Sequence, residues 1–322
     1  MIALATLLLC VPQEGSAAAE EQAFPLETTT VKTDGLRFYV EGRQRIPRNA
    51  KVVSLRHATL TGRGTDAVLE VDGQLEMRAV TGGKVVIENL RIELTENVKK
   101  LSFMNTEFRG KGGLFSHQDA QHGGLVYVAS TRFEGESKLE LAMMDGEVAI
   151  DGCHFAKPLT VIGVPRSDTT GSQLVLKLLG CQGQRPPTGV FGGLTVQGVK
   201  EAIVRFNDIA GPEARFVDCR ELDLQVNNLR SGRLELVQSL PGKFGRTTIK
   251  NDDVRARKLV FRAPAGKGHP EKLTLRDCWF EGLGDPEAIL AERVEDSRTD
   301  PEIGVTVELE DVREESLGLG GG

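Results

Sequence analysis

One short hydrophobic phrase recurs along this chain. It runs apolar, any, apolar, any, turn former, small residue, any, apolar. It reads VSLRHATL at 53–60, VVIENLRI at 85–92, LSFMNTEF at 101–108, VYVASTRF at 126–133, VAIDGCHF at 148–155 and LTLRDCWF at 273–280. Looser copies lie at 203–209, 222–229, 247–254 and 305–312, and 176–181 and 214–219 carry its first part. The opening alternation has period two, which places alternate side chains on one face of a strand. The next residue is Asn, Asp, Gly, Ser or His, types that tolerate a left-handed backbone or bond their own main chain. The final apolar residue starts a second inward-facing strand.

Strand, tight turn, strand and a variable loop, returning about every 22–28 residues, predict a coiled sheet rather than a set of helices. Copies in phase stack, so each strand pairs in parallel with its counterparts above and below. The expected turn residues are His57, Asn89, Asn105, Ser130, Gly152, Gly180, Asn207, Asn227, Asn251 and Asp277, stacked along one edge. An antiparallel sandwich is the weaker alternative, because the chain lacks the Asn-Gly dipeptides of tight hairpins.

The phrases VVIENLRI, LQVNNLRSG and LTLRDCWFEG make the chain resemble the right-handed parallel β-helix superfamily, the pectate-lyase-like fold, over roughly 50–312. The expected organisation is an all-β, right-handed parallel β-helix over 51–312, preceded by a linker and N-terminal cap at 20–50. Asp285-Pro286-Glu287 ahead of AILAERVED has the marks of a helix start and predicts one short helical insertion near the C-terminus. Residues 313–322, ending in GLGLGGG, read as a flexible tail.

The phase makes predictions about the interior. Phe108, Phe133, Phe155 and Phe280 hold one place in their copies, so they are expected to be buried and in part stacked. Cys153, Cys181, Cys219 and Cys278 each follow the turn residue directly, where Thr106 and Thr131 stand in other copies. That shared place predicts an internal ladder of small residues. A Cys153–Cys181 bridge is within reach by Cα spacing, but side chains stacked in parallel favour thiols.

Composition narrows the class. Of 322 residues, 27% are charged and 39% hydrophobic, which is ordinary for a globular chain, and the net charge of −6 argues against a nucleic-acid partner. Residues 2–11 form an apolar run too short to span a bilayer, and Ala17-Ala18-Ala19 offers a cleavage site. The expectation is a signal peptide over 1–19, although no Lys or Arg precedes the run, and a secreted or periplasmic product without a transmembrane helix.

Candidate chemistry is sparse. The Gly-rich loop 109–124 holds His117, Asp119 and His122, a set able to bind Ca²⁺ or another divalent metal, with no established metal-site spacing. Residues 255–272 are basic, and Arg255, Arg257 and Lys258 are candidates for binding an anionic glycan. Resemblance to polygalacturonases implies an Asn-Thr-Asp, an Asp-Asp, a His-Gly and an Arg-x-Lys on consecutive turns of the helix. Asn105-Thr106-Glu107, Asp252-Asp253 and His122-Gly123 echo three of these in the wrong order, and no catalytic residue is assigned. Asn251-Asp252-Asp253 and the single Trp, Trp279, read as turn residues. The expected function is a non-catalytic scaffold or binding module for an anionic polysaccharide or another envelope component. The alternative is a polysaccharide lyase or glycoside hydrolase of the same fold, which needs a converging carboxylate or Arg/Lys cluster on one exposed sheet.

Overall fold

The computed structural model describes residues 21–24, 30–48, 52–79, 83–116, 123–165, 171–180 and 188–237. Beyond them it describes the backbone of the strands Thr247–Lys250, Asp253–Val254, Leu259–Arg262, Lys272–Arg276, Trp279–Glu281, Thr306–Glu310 and Arg313–Glu315. The expected leader, helical insertion and C-terminal end of the tail lie outside the described residues.

Alternation does set the strands. In Lys100–Met104 the side chains of Leu101 and Phe103 are buried, while Lys100, Ser102 and Met104 face outward. The counterpart Leu125–Ala129 buries Val126 and Val128, and Glu147–Asp151 buries Val148 and Ile150. These strands pair in parallel, residue for residue. Among the described residues, every strand pairing is parallel. They form a 12-stranded sheet on one side and a 19-stranded sheet that wraps the other. This is an all-β parallel β-solenoid, and the parallel pairing rules out the sandwich. Thr30–Asp34 and Arg37–Ile46, from the segment expected as a cap, already pair with Val52–Arg56 and Thr59–Val71 in the two sheets.

Two of the corners in each coil are ones that the phrase does not distinguish. The first follows the 12-stranded sheet. Register places His57, Asn105, Ser130 and Gly152 in one column there, all with left-handed φ between 48° and 59°. Asn89 is not in that column. It lies between Val85–Glu88 and Arg91–Leu94, both in the other sheet, and its column mates are Gly110 and Gly135. Any sharp corner demands the same residue types, so VVIENLRI imitates LSFMNTEF from a different place on the coil.

Two further turn expectations shift by one residue. The left-handed residues are Phe206 (φ 60°) and Val226 (φ 54°), not Asn207 and Asn227. The asparagines point inward instead. Asn207 Nδ2 donates to Leu178 O at 2.9 Å and to Asn227 Oδ1 at 2.9 Å, and Asn227 Nδ2 donates to Val204 O at 2.8 Å. A buried amide can both donate and accept, so it satisfies main-chain groups that Phe or Val would leave unpaired. The strain of a left-handed Phe or Val is the lesser cost. Gly180 does not adopt positive φ, but a Cβ there would lie 1.6 Å from Phe206 O.

Thr106, Thr131, Cys153, Thr188, Asn207 and Asn227 form the inner ladder beside this corner, all buried. Thr131 Oγ1 donates to Ala129 O at 2.9 Å and Thr188 Oγ1 to Leu179 O at 2.6 Å. Cys153 and Cys219 are buried thiols, as expected. Cys219 is not on the ladder, however. It follows Asp218 at a third corner, where the chain re-enters the 12-stranded sheet at Glu221, and it stacks beyond Val199. Thr188, in register with Asn207, holds the ladder place next to Cys153, and Cys181 and Cys278 lie outside the described residues.

Phe108, Phe133 and Phe155 are buried and stacked, with centroids 4.5 and 4.7 Å apart. Phe280 joins the column by register through Val254, its side chain being outside the description. Trp279 and Asp253 lie in strands, not in turns, and are paired with each other. The expected turn residues Asn251 and Asp277 lie outside the described residues.

Candidate functional site

The second corner carries the site. Asn89 stands there with φ 51°, and its Oδ1 accepts the Lys111 backbone N–H at 3.0 Å. That bond ties one coil to the next and leaves no room for a side chain at Gly110, where a Cβ would fall 2.1 Å from Asn89 Oδ1. One coil earlier the register breaks. Arg63 pairs with Glu41 and Val68 with Arg43, so 64–67 leave the ladder as an outward excursion. The excursion walls a groove of about 790 Å³ that runs along the solenoid axis past Thr65, Arg91, Lys111 and Lys138. Phe115 and Gly112 lie in it, and a Cβ on Gly112 would meet Leu90 O at 2.3 Å. A second hollow of about 440 Å³ shares Thr65, Ala67 and Arg91 and reaches Arg43 and Glu93.

The electrostatics of this face are layered. Glu70 and Glu93 are neighbours on adjacent strands, and both point outward yet are buried. Cations lie over them. Arg43 Nη1 donates to Glu70 at 2.5 Å and to Glu93 at 2.9 Å, and Arg45 Nε donates to Glu70 at 2.6 Å. Arg91 Nε donates to Glu93, and its guanidinium sits 3.7 Å from the Phe115 ring centroid. On the strand before the corner, outside the groove, Glu107 repeats the arrangement, accepting from Arg109 at 2.7 Å and Lys84 at 3.3 Å. In the first pair the Arg45 side chain is 59% exposed over a Glu70 that is 6% exposed. Glu70 and Glu93 form a floor beneath exposed guanidinium groups, while Glu136 and Glu140 stand exposed in the groove beside the cations.

Two of the buried carboxylates, Glu70 and Glu107, are held ionised. Burial pushes the Glu70 carboxyl up, but hydrogen bonds from Arg43 and Arg45 outweigh it and hold the group below the usual carboxylate value. The Arg109 hydrogen bond does the same for Glu107 against its own burial. A glycosidase acid needs the opposite shift, a carboxyl kept protonated near neutrality. The arrangement therefore suits holding an anion. Arg91 is fixed by Glu93 and by the Phe115 face, and its terminal nitrogens meet no carboxylate among the described residues. Lys111 likewise has no ion pair there, and Lys138 shares only a 3.5 Å contact with Glu140. A planar guanidinium with two unused donors matches a carboxylate or sulfate edge.

None of these cations was singled out in the sequence. The signal was there in RIEL and KLEL, where charged residues take the outward positions of an alternating strand. The residues that were singled out, His117, Asp119, His122, Asp252, Arg255, Arg257 and Lys258, lie outside the described residues. Glu107, from the Asn-Thr-Glu echo, is a buried carboxylate beneath Arg109 and Lys84 on the strand before the corner, and its neighbour Thr106 belongs to the inner ladder. Among the described residues, no three His, Cys, Asp or Glu side chains converge on a metal position.

The fold and this groove define a parallel β-solenoid with a cation-bearing outer corner. No family model, curated protein or solved structure matches the chain.

Proposed function

We propose that this chain is an exported, non-catalytic β-solenoid of the pectate-lyase-like type that binds an anionic polysaccharide along its outer corner. The observation that supports this reading is the placement of Arg91, Lys111 and Lys138 in one groove on successive coils. Coils repeat at about 4.8 Å, close to the span of one sugar ring, so a polymer with one carboxylate per ring meets one cation per coil. Beneath Arg91 the buried Glu93 is bonded by Arg91 and Arg43, which favours retention of a ligand over acid catalysis.

The test is calorimetric titration of the purified chain with polygalacturonate at low and moderate salt. Binding should weaken at least tenfold in Arg91→Gln/Lys111→Gln and should fall as salt rises, because exposed charges are screened. Absence of binding at low salt overturns the reading. So does appearance of unsaturated or shortened products, which would promote a lyase or hydrolase.

A further inference from the structure

We propose that Phe191, backed by His154, is a stacking platform for a pyranose ring, and that it extends the groove's ligand track along the same corner of the solenoid. This rests on the anionic-glycan reading of the groove.

Phe191 departs from the rule set by the other phenylalanines in strand phase. Phe108, Phe133 and Phe155 point inward and are buried, whereas Phe191 is 39% exposed. Its exposure is not looseness. Its backbone N–H donates to Phe155 O at 2.9 Å, which continues the ladder between coils. The ring folds back over Gly189, where an added Cβ would lie 2.5 Å from it. Gly189 is in register with His154 on the coil below and Asp208 on the coil above. The His154 ring meets Phe191 at a centroid distance of 5.0 Å, tilted by 46°. Only glycine at 189 lets the phenyl ring lie on the sheet, with its other face open.

Position links the platform to the groove. Phe191 immediately precedes Gly192, which falls in the corner column that holds Asn89, Gly110 and Gly135 on earlier coils. Between them lies Lys157, whose ammonium contacts Glu136 at 2.9 Å, and Glu136 lines the groove. Three coils separate Lys111 from Phe191, about 14 Å at the parallel-strand spacing. A linear polymer leaving the groove past Lys138 and Lys157 crosses the corner to reach the ring over Gly189.

The surroundings suit a sugar. Arg132 is exposed and in register below His154. On the other side Arg230 bonds Asp208 through two nitrogens. An apolar face flanked by a guanidinium and a carboxylate–guanidinium pair matches a pyranose, whose C–H face is apolar and whose edge carries hydroxyls.

The experiment compares a galacturonate trimer, which fills the groove alone, with a nonamer, which spans both places. Each is titrated against the wild-type chain, Phe191→Ala, Phe191→Leu and Arg91→Gln. The wild type should bind the nonamer at least tenfold more tightly than the trimer. Phe191→Ala should reduce nonamer affinity to that of the trimer and leave trimer binding unchanged. Phe191→Leu keeps an apolar side chain but removes the aromatic face, and it should behave like Phe191→Ala. If the Phe191 variants bind the nonamer as wild type does while Arg91→Gln weakens both oligomers, the platform is overturned and the groove stands. If the wild type binds neither oligomer, both fall.

Discussion

The rings of Phe108 and Phe133 lie 4.5 Å apart and within 6° of parallel. Aromatic pairs in cores adopt either offset-stacked or edge-to-face contacts, and Phe103 with Phe108 in one coil takes the second at 67°. Between coils the ladder leaves no choice. Glu107 and Phe108 are paired with Arg132 and Phe133, so the side chains inherit the parallel-strand repeat of about 4.8 Å. The stack continues to Phe155 at 4.7 Å.

Phe133 is the middle ring and has neighbours on both sides. Phe133→Ala should destabilise the chain by about 3–5 kcal/mol, and Phe133→Leu by less, because less volume is lost. Denaturant unfolding followed by far-ultraviolet dichroism measures both. A loss below about 1 kcal/mol for the alanine variant would contradict the packing described here.

Val226 has φ 54° and is 43% exposed, so its backbone is strained and its side chain packs little. Val226→Asn should stabilise the chain by about 1 kcal/mol, since a short polar side chain tolerates the left-handed region. A raised melting temperature is the expected readout, and a lowered one would mean that the valine contributes packing after all.

Asn227 closes the ladder, donating to Val204 O at 2.8 Å and accepting from Asn207 Nδ2 at 2.9 Å. Asn227→Leu replaces it with a side chain of similar size and no hydrogen-bonding groups. It should cost about 1–3 kcal/mol for each main-chain or amide group left unpaired. Equal stability of variant and wild type in urea titrations would show the ladder to be dispensable.

Acid should unfold the chain through two of its buried carboxylates. Glu70 and Glu107 titrate below the ordinary 4.5 when folded. Their contribution is complete above the unfolded value and is lost as pH falls through the lowered folded values. The urea midpoint should therefore drop as pH falls below about 4.5. Glu70→Gln/Glu107→Gln should be less stable at neutral pH but should show a shallower drop. Parallel acid slopes for the two proteins would refute the assignment.

Cys219 should be inert in the native state. Burial pushes its thiol up to about 12. Native protein at mild alkaline pH should leave it unlabelled by a thiol reagent, with labelling appearing on unfolding. Peptide mapping distinguishes it from the other cysteines.

Much of the coil was legible in the chain itself. Leu101, Phe103, Val126 and Val128 could be assigned to the interior because period-two alternation is a local property that needs no partner. The Phe column and the places of Thr106, Thr131 and Cys153 followed from aligning the phrases. The site was not legible. Arg91, Lys111 and Lys138 look like ordinary outward charges, and nothing nearby in sequence brings them together.

The sequence by itself determined that this chain coils, which residues face in, and that corners recur. Those features depend on alternation and on the few residue types that tolerate a sharp turn. Only the tertiary structure decided which corner each phrase occupies, because two corners ask for the same chemistry. It also decided that Asn207 and Asn227 turn inward while Phe206 and Val226 take the strained backbone. That choice depends on carbonyls contributed by neighbouring coils, among them Leu178 and Val204. The groove has the same origin: the excursion at 64–67 walls it, and the register of the parallel strands puts Arg91, Lys111 and Lys138 of separate coils side by side.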